Sequence, residues 1–179
     1  MRRWLERAVI GLNLCPFARP VYEQGTLHIA VCLASEPADV LDRLRDELAD
    51  LARLAPVERE TTLLVAPRCL AEFLDFNDFL ARADRLLRKA GWRGVLQLAS
   101  FHPHYQFADA APDAVTHCSN RAPYPTLHLL REDSVERAVG SLQRPEAIYE
   151  RNLRTLQHLG HAGWAALDVG PGAAGRPAP

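Results

Sequence analysis

The chain has 179 residues, of which 48% are hydrophobic and 24% charged, and its formal net charge is −1. This length and composition fit one domain that buries most of its apolar surface. Because acidic and basic residues alternate instead of forming blocks, neither a nucleic acid nor an anionic membrane is an expected partner. Lys89 is the only lysine in the chain, which excludes lysine-centred chemistry elsewhere in the sequence.

The apolar runs and the cysteines indicate a cytoplasmic protein. No apolar run approaches the roughly 18 residues of a membrane span, and the N-terminus has no signal-peptide pattern. The cysteines show no close pairing, which favours free thiols in a reducing compartment over a disulfide framework. They are Cys15, Cys32, Cys69 and Cys118.

The first two thirds of the chain alternate helix and strand patterns. Apolar residues at helical spacing predict a first helix over residues 3–14, which the prolines at 16 and 20 end. Period-two and helical patterns then alternate, predicting strands over 27–33, 61–65 and 94–101 and helices over 37–55 and 70–90. Short connections in this order favour right-handed crossovers and an α/β fold. A fourth strand, at 126–130, completes a mainly parallel four-stranded sheet with flanking helices.

The pattern changes after residue 101. About 24 residues rich in proline, aromatic and polar groups precede the fourth strand. A loop of this length in a compact domain is usually functional or disordered, and its aromatic content argues against disorder. Two further helices are predicted over 133–142 and 145–159. Residues 1–168 are thus predicted to form a single layered α/β domain, followed by a disordered tail at 169–179.

Five ordered motifs resemble those of a known bacterial family. They are GLNLCPFA at 11–18, ETTLLV at 60–65, DFNDFL at 75–80, and the segments 100–107 and 120–132. Together they are similar to the uncharacterised family catalogued as domain of unknown function 1415. The resemblance extends to about residue 140, and it marks segments of the chain without implying a reaction.

His102 is the first candidate for a catalytic residue. It follows the C-terminal end of the third predicted strand, which is the edge where open α/β sheets bind ligands. Because Pro103 holds His102 extended, His102 is a better candidate than His104. The alternative is that its ring bonds a loop carbonyl and closes the end of the strand.

His128 is the second candidate. Period-two alternation places it on one face of the fourth strand with Thr126 and Leu130. It could serve as a general acid or base, as a metal ligand, or as a core histidine satisfied by one neighbour. It approaches the third strand only if the fourth strand pairs beside it.

The loop also carries candidates for substrate binding. Asn120 and Arg121 offer planar amide and guanidinium donors, which recognise carboxylate or phosphate groups. An anionic small molecule is therefore the expected ligand, with Tyr105 and Arg131 completing the binding set. In the alternative, Arg121 pairs with an acidic residue and pins the loop.

Cys15 and Glu60 are further catalytic candidates. Cys15 would be a nucleophile if His102 or His128 lies beside it, and is otherwise a buried structural cysteine. Glu60 precedes the second strand, and with Thr62, Gln97 and His28 it could line one face of the sheet as a second candidate pocket.

These residues support three hypotheses about function. The preferred one is a small-molecule enzyme, a hydrolase or transferase, that acts on an anionic substrate through a His/Arg/Asn site. The alternatives are a non-catalytic ligand-binding or assembly module, and a metal-dependent enzyme with His, Glu and Cys ligands. No pair has the tight spacing of common zinc motifs, so no metal ligands are assigned. The cofactor and the oligomeric state are left open. Convergence of His102, Arg121 and His128 on one pocket would favour the enzyme, whereas side chains that point separately into solvent or core would favour the non-catalytic module.

Overall fold

A computed structural model describes residues 1–140, 144 and 146–170 of the chain. Its strands are β1 (Leu27–Val31), β2 (Thr61–Val65), β3 (Leu96–Phe101) and β4 (Thr126–Arg131). Helix α1 begins as an α-helical turn, Arg2–Trp4, and continues as a π-helical stretch, Leu5–Ile10. The other helices are α2 (Ala18–Glu23), α3 (Pro37–Arg53), α4 (Phe73–Lys89), α5 (Glu132–Gly140) and α6 (Glu146–Ala166), with a 3₁₀ helix at Val115–Ser119.

The four strands form one mixed sheet in the order β1-β2-β4-β3. Strand β1 is parallel to β2, whereas β4 is antiparallel to both β2 and β3. The predicted α/β class is confirmed, but the prediction of a mainly parallel sheet is wrong. Strands β1, β2 and β3 do run in one direction, as successive strand–helix units require. The chain then returns after β3 and inserts β4 between β2 and β3 in the opposite direction.

Helices α3 and α4 cover one face of the sheet tightly. Pro37 occupies the first turn of α3, where its missing N–H costs no hydrogen bond. The stripe predicted from the sequence points inward, since Leu44, Leu48 and Leu51 are all 0% exposed. Helix α4 ends just before Gly91, whose φ of 76° suits glycine. This face is therefore a closed hydrophobic core.

The opposite face is covered less completely. Trp4, Leu5 and Ala8 of α1 are buried against Leu63 of β2. Helix α2, which the sequence pattern did not predict, contains Pro20 in its first turn, where proline is tolerated. Helix α5 contains no buried residue, in contrast to α3 and α4. Between these helices the sheet is left open to a pocket.

Helix α6 packs beside the 3₁₀ helix. Leu156 of α6 is fully buried with Leu14 and Cys118. Three predicted segments extend past the described residues: the helix predicted over 133–142 at residues 141–142, the helix predicted over 145–159 at residue 145, and the predicted disordered tail from residue 171 onward. None of the described helices is long and apolar enough to cross a membrane.

Candidate functional site

A pocket of about 300 Å³ lies between the sheet and helices α1, α2 and α5. Its floor is formed by β2, β3 and β4. Four of the eight predicted site residues line it, namely Cys15, Glu60, His128 and Arg131. The other lining residues are mostly apolar; they are Trp4, Leu5, Val9, Phe17, Ala18, Val21, Leu27, Thr61, Leu63, Gln97, Phe101, Leu130, Ser134, Val135, Ala138 and Val139.

His128 lies on the floor of the pocket, and its ring is oriented by Thr61. In the register of the sheet His128 lies between Leu63 of β2 and Ala99 of β3, so the condition for His128 to approach the third strand is met. The Thr61 hydroxyl is 2.6 Å from the carbonyl oxygen of Leu129 and 2.8 Å from His128 Nε2. Because the hydroxyl donates its one proton to the carbonyl, Nε2 must donate to the hydroxyl. The proton is therefore on Nε2, and Nδ1 is left as an acceptor.

The surroundings of His128 keep its ring neutral. Burial lowers the pKa of His128 from 6.5 to about 4, because an imidazolium would be poorly solvated there. Within the part of the chain that the structure describes, Nδ1 has no hydrogen-bond partner. At neutral pH the pocket thus contains an imidazole with a free acceptor nitrogen.

Cys15 lies on the wall of the pocket, between α1 and α2. Burial raises the pKa of its thiol above the usual value, whereas the backbone N–H groups of Phe17 and Ala18 and the nearby Arg151 act in the opposite direction. The thiol is half-buried and free of disulfides. It therefore needs a base to become a nucleophile, and His128 is the histidine that shares the pocket with it.

Glu60 and Arg131 both line the pocket and lie at the same edge of the sheet. The backbone N–H of Glu60 donates to the Thr26 carbonyl at 2.9 Å, and its carboxylate has no partner among the described residues. Arg131 Nη2 donates to the carbonyls of Leu54 and Arg59, at 2.7 and 2.9 Å. Arg131 therefore stabilises the segment that leads to Glu60. Both protons of its Nη2 are donated to these two carbonyls.

His102 lies outside the pocket, in the segment 102–125, which we call the histidine loop. Its side chain is fully buried; Nε2 donates to the Leu70 carbonyl at 3.0 Å, and Nδ1 accepts from the backbone N–H of His104 at 3.0 Å. Leu70 has a φ of 62°, an unusual conformation for a bulky residue. His102 thus supports a strained backbone, which matches the structural alternative weighed from the sequence.

The other loop candidates also bond to the chain itself. Asn120 Nδ2 donates to the Ser100 carbonyl at 3.4 Å, and Arg121 Nε donates to the Tyr105 carbonyl at 3.3 Å. The ring of Tyr105 packs on Phe73 of α4. The structure does not bring these side chains to the pocket, so a shared anion site with His128 stays a prediction without geometric support.

His117 has a structural role in the histidine loop that was not predicted from the sequence. It is fully buried, its Nδ1 accepts from the backbone N–H of Phe107 at 3.1 Å, and its Nε2 donates to the Ala111 carbonyl at 2.8 Å. Thr61, which orients His128, was also missed. Period-two alternation could have assigned Thr61 to a face of β2, but not to a contact with His128, because the register of β2 and β4 is not visible in sequence.

His28 does not join the second pocket that was predicted with Glu60 and Gln97. Its Nε2 lies 3.8 Å from Glu47 of α3, on the other face of the sheet. Thr62 alternates with the pocket residue Thr61, so it also faces away. The prediction is correct for Glu60 and Gln97 and wrong for His28 and Thr62.

Within the described residues, no group of three or more His, Cys, Asp or Glu side chains is placed to hold a metal ion. A metal site with His, Glu and Cys ligands therefore has no support from the arrangement of these residues.

The comparison with known families agrees with the motifs. Residues 1–166 match the family model described as a protein of unknown function, DUF1415. The chain belongs to the DUF1415 family. Comparisons with curated proteins and with solved structures found no match. Membership in DUF1415 confirms the resemblance drawn from the motifs, and it leaves the reaction to be argued from the pocket.

Proposed function

We propose that this DUF1415 protein is a small-molecule enzyme, a hydrolase or a transferase, whose active site is the pocket. The observation that carries the proposal is that a thiol and a neutral imidazole, Cys15 and His128, line the same small pocket. Nucleophilic catalysis by cysteine needs such a base within reach. The predicted loop residues, catalytic His102 and substrate-binding Asn120 and Arg121, lie outside the pocket, and each donates a hydrogen bond to a backbone carbonyl.

The two side chains have complementary protonation states at neutral pH. The thiol of Cys15 is protonated, because burial raises its pKa, and His128 is neutral with an acceptor at Nδ1. In the proposed step Cys15 Sγ forms a bond to an acyl carbon of the substrate, and its proton passes to His128 Nδ1. The bond from that carbon to the leaving group breaks, and the leaving group departs with the bonding electrons. Water or a second substrate then accepts the acyl group from sulfur, giving a hydrolase or a transferase.

A second candidate function is non-catalytic binding of a small molecule. It is favoured by the mainly apolar lining of the pocket. It is also favoured by burial, which pushes the pKa of Cys15 up and that of His128 down and so makes proton transfer between them harder. The two functions use the same pocket and differ in whether a bond to Cys15 forms.

A generic acyl donor tests the enzyme proposal. Purified protein is mixed with p-nitrophenyl butyrate, and nitrophenolate release and protein mass are followed together. We expect a rapid release of nitrophenolate and one butyryl group on Cys15, located by peptide mapping. Cys15→Ala should show neither, and His128→Gln should slow the release about 100-fold, because a positioned base contributes about that much.

Folding and binding are measured in the same variants. The exposed His158 of α6 supplies a matched control, since His158→Gln should leave the release unchanged. Each variant is also titrated with the neutral fluorescent probe N-phenyl-1-naphthylamine. Binding of this probe without any acylation of Cys15 would overturn the enzyme proposal in favour of non-catalytic binding. Absence of both would reject the pocket as a functional site.

A further inference from the structure

The sheet has two edge strands, β1 and β3, and the outer side of β1 is unpaired. The Cys32 N–H donates to the Val65 carbonyl at 2.8 Å. At the other end of β1, the Thr26 carbonyl accepts from the Glu60 N–H at 2.9 Å, so the even-numbered residues of this segment bond to β2. Backbone groups of successive residues in a strand point in opposite directions, so the odd-numbered residues point away from β2. Their N–H and C=O groups have no partner in the part of the chain that the structure describes; they are those of Leu27, Ile29 and Val31.

The outer side of β3 is occupied by the chain itself. The Leu96 N–H donates to the Trp92 carbonyl at 2.9 Å, and the Ser100 carbonyl accepts from Asn120 Nδ2 at 3.4 Å. Just past the strand, the His102 N–H donates to the Asn120 carbonyl at 3.1 Å. The two ends of this edge are therefore closed. Among the described strands, β1 is the one with a continuous free edge.

Strand β1 also lacks the features that usually protect an edge. Residues Leu27–Val31 include no proline and no Lys, Arg, Asp or Glu, and their pairing with β2 is not interrupted by a bulge. Val31 is 53% exposed, and Leu33, two residues further on, is 57% exposed. An apolar strand edge without such protection is a template for pairing with another strand.

The sequence of β1 is compatible with antiparallel pairing to a second copy of itself. If the two-fold axis passes beside Ile29, all five residues of each strand are paired and every outward N–H and C=O group finds a partner. Ile29 then lies opposite Ile29 of the second copy, and Leu27 lies opposite Val31. These apolar cross-strand pairs stabilise a sheet, and Val31 loses its exposure to water. His28 lies opposite Ala30, whose small side chain leaves room for the imidazole.

The charges near this edge are compensated within each copy. His28 Nε2 lies 3.8 Å from the buried Glu47 carboxylate, which also pairs with Arg43 at 2.6 Å and Arg59 at 3.0 Å. The whole chain has a formal net charge of −1, so two copies do not repel each other strongly. Self-pairing of β1 is also a closed arrangement, because it uses up the free edge of both copies. Pairing of β1 with β3 of another copy would be open-ended, and the contacts of Trp92 and Asn120 block it.

We propose that two copies of this chain associate through the free edges of β1, in the antiparallel register centred on Ile29, and form one continuous sheet. The inference goes beyond the proposed function and does not rest on it, since no step at Cys15 or His128 requires a second copy.

Sedimentation velocity of the full chain over a range of micromolar concentrations tests the association. We expect a species of twice the chain mass of 19.9 kDa. Val31→Arg places a charge on the edge opposite an apolar residue, so it should weaken the association at least about tenfold. Val31 is exposed, so the folded monomer tolerates this change, and the melting temperature checks it. The matched control is Val57→Arg, because Val57 is 83% exposed in the turn between α3 and β2, and this variant should associate like the wild type.

Cysteine cross-linking tests the register. In the proposed pair the two Ile29 Cα atoms are about 5.5 Å apart, a separation that a disulfide spans. Ile29→Cys should therefore give a disulfide-linked dimer under mild oxidation, seen on a non-reducing gel. The two Val31 positions are four residues apart along the strand, about 13 Å, so Val31→Cys should not cross-link to itself. Wild-type protein under the same oxidation controls for the native cysteines.

Three outcomes would overturn the inference. The first is a wild-type protein that stays monomeric at every concentration. The second is a dimer that Val31→Arg does not weaken, because it would use another surface. The third is cross-linking of Val31→Cys without cross-linking of Ile29→Cys, which would exclude the register centred on Ile29. None of these results bears on acylation of Cys15, so the proposed function is tested separately.

Discussion

The histidine loop and the pocket both contain histidines, buried in the loop and half-buried in the pocket, but their ring nitrogens are used differently. His102 and His117 each have both ring nitrogens hydrogen-bonded to the backbone of the chain. His128 has Nε2 bonded to Thr61, and its Nδ1 has no partner in the described residues. A neutral histidine offers one donor and one acceptor, so the first two have nothing left for a ligand. The number of unused ring nitrogens separates a structural histidine from one that can act on a substrate.

The charged and amide side chains show the same contrast. In the histidine loop, Asn120 and Arg121 donate to carbonyls of the chain itself. In the pocket, the Glu60 carboxylate is without a partner among the described residues. The polar side chains of the histidine loop thus bond mainly to the chain itself. Side-chain groups without a partner among the described residues, which could bond to a ligand, line the pocket.

The largest expected effect is the loss of stability when His102 is replaced. His102→Ala removes a buried ring and leaves the Leu70 carbonyl without its donor, so the free energy of unfolding should fall by about 4 kcal/mol. Urea unfolding measures it, and probe binding below the transition should be unchanged. His104→Ala, at an exposed neighbour, is the control. A loss of less than about 0.5 kcal/mol in His102→Ala, the size typical of surface substitutions, would contradict a structural role.

The next effect is the pH dependence that His128 imposes on stability. The folded protein keeps His128 neutral down to about pH 4, whereas the unfolded chain binds a proton below its ordinary pKa of 6.5. Between these values the unfolded state holds more protons, so stability falls as the pH drops through this window and is unaffected above it. Over the whole window the loss due to His128 is about 3 kcal/mol.

Urea unfolding at pH 7 and near pH 4 measures this loss. Burial also lowers the pKa of His28 and His102, so the wild-type protein loses stability from several histidines. His128→Gln lacks the titrating group, so its free energy of unfolding should depend less on pH than that of the wild type. His158→Gln should keep the pH dependence of the wild type. If the free energy of unfolding varies equally with pH in the wild type and in His128→Gln, His128 is solvated in the folded protein. The difference drawn between His128 and the histidines of the loop would then be wrong.

The smallest effect is expected for Arg121. Arg121→Ala removes one hydrogen bond, the 3.3 Å contact with the Tyr105 carbonyl, so the free energy of unfolding should fall by about 1 kcal/mol. The affinity for N-phenyl-1-naphthylamine should be that of the wild type. A loss of probe affinity in this variant would place ligand binding in the loop instead of the pocket.

The sequence predicted the elements better than their arrangement. Helices α3 and α4 follow directly from apolar periodicity, because one face of each is buried. Strand β2 is a short run that is buried on both faces. The position of β4 in the sheet could not be predicted, since it depends on which strand edges are free once β1, β2 and β3 have folded. Helix α2 was missed because Pro20 was interpreted as ending a helix, whereas it lies in the first turn of one.

The candidate site was predicted in part, for reasons that concern particular residues. Cys15, Glu60, His128 and Arg131 were selected for their chemistry, and all four line the pocket. Their convergence could not be predicted without the register of β2 and β4. His102 was selected from its place at the end of a strand, and nothing in the sequence connects it with the Leu70 carbonyl, 32 residues earlier.

The central position of β4 has a consequence for synthesis of the chain. In the sheet β3 pairs with β4 and β2 pairs with β4, so β2 and β3 are joined through the strand that is made last. While the ribosome is still translating the histidine loop, both β2 and β3 expose an unpaired edge that can join to other chains. Emergence of residues 126–131 closes both edges at once and, in the same event, brings His128 to Thr61.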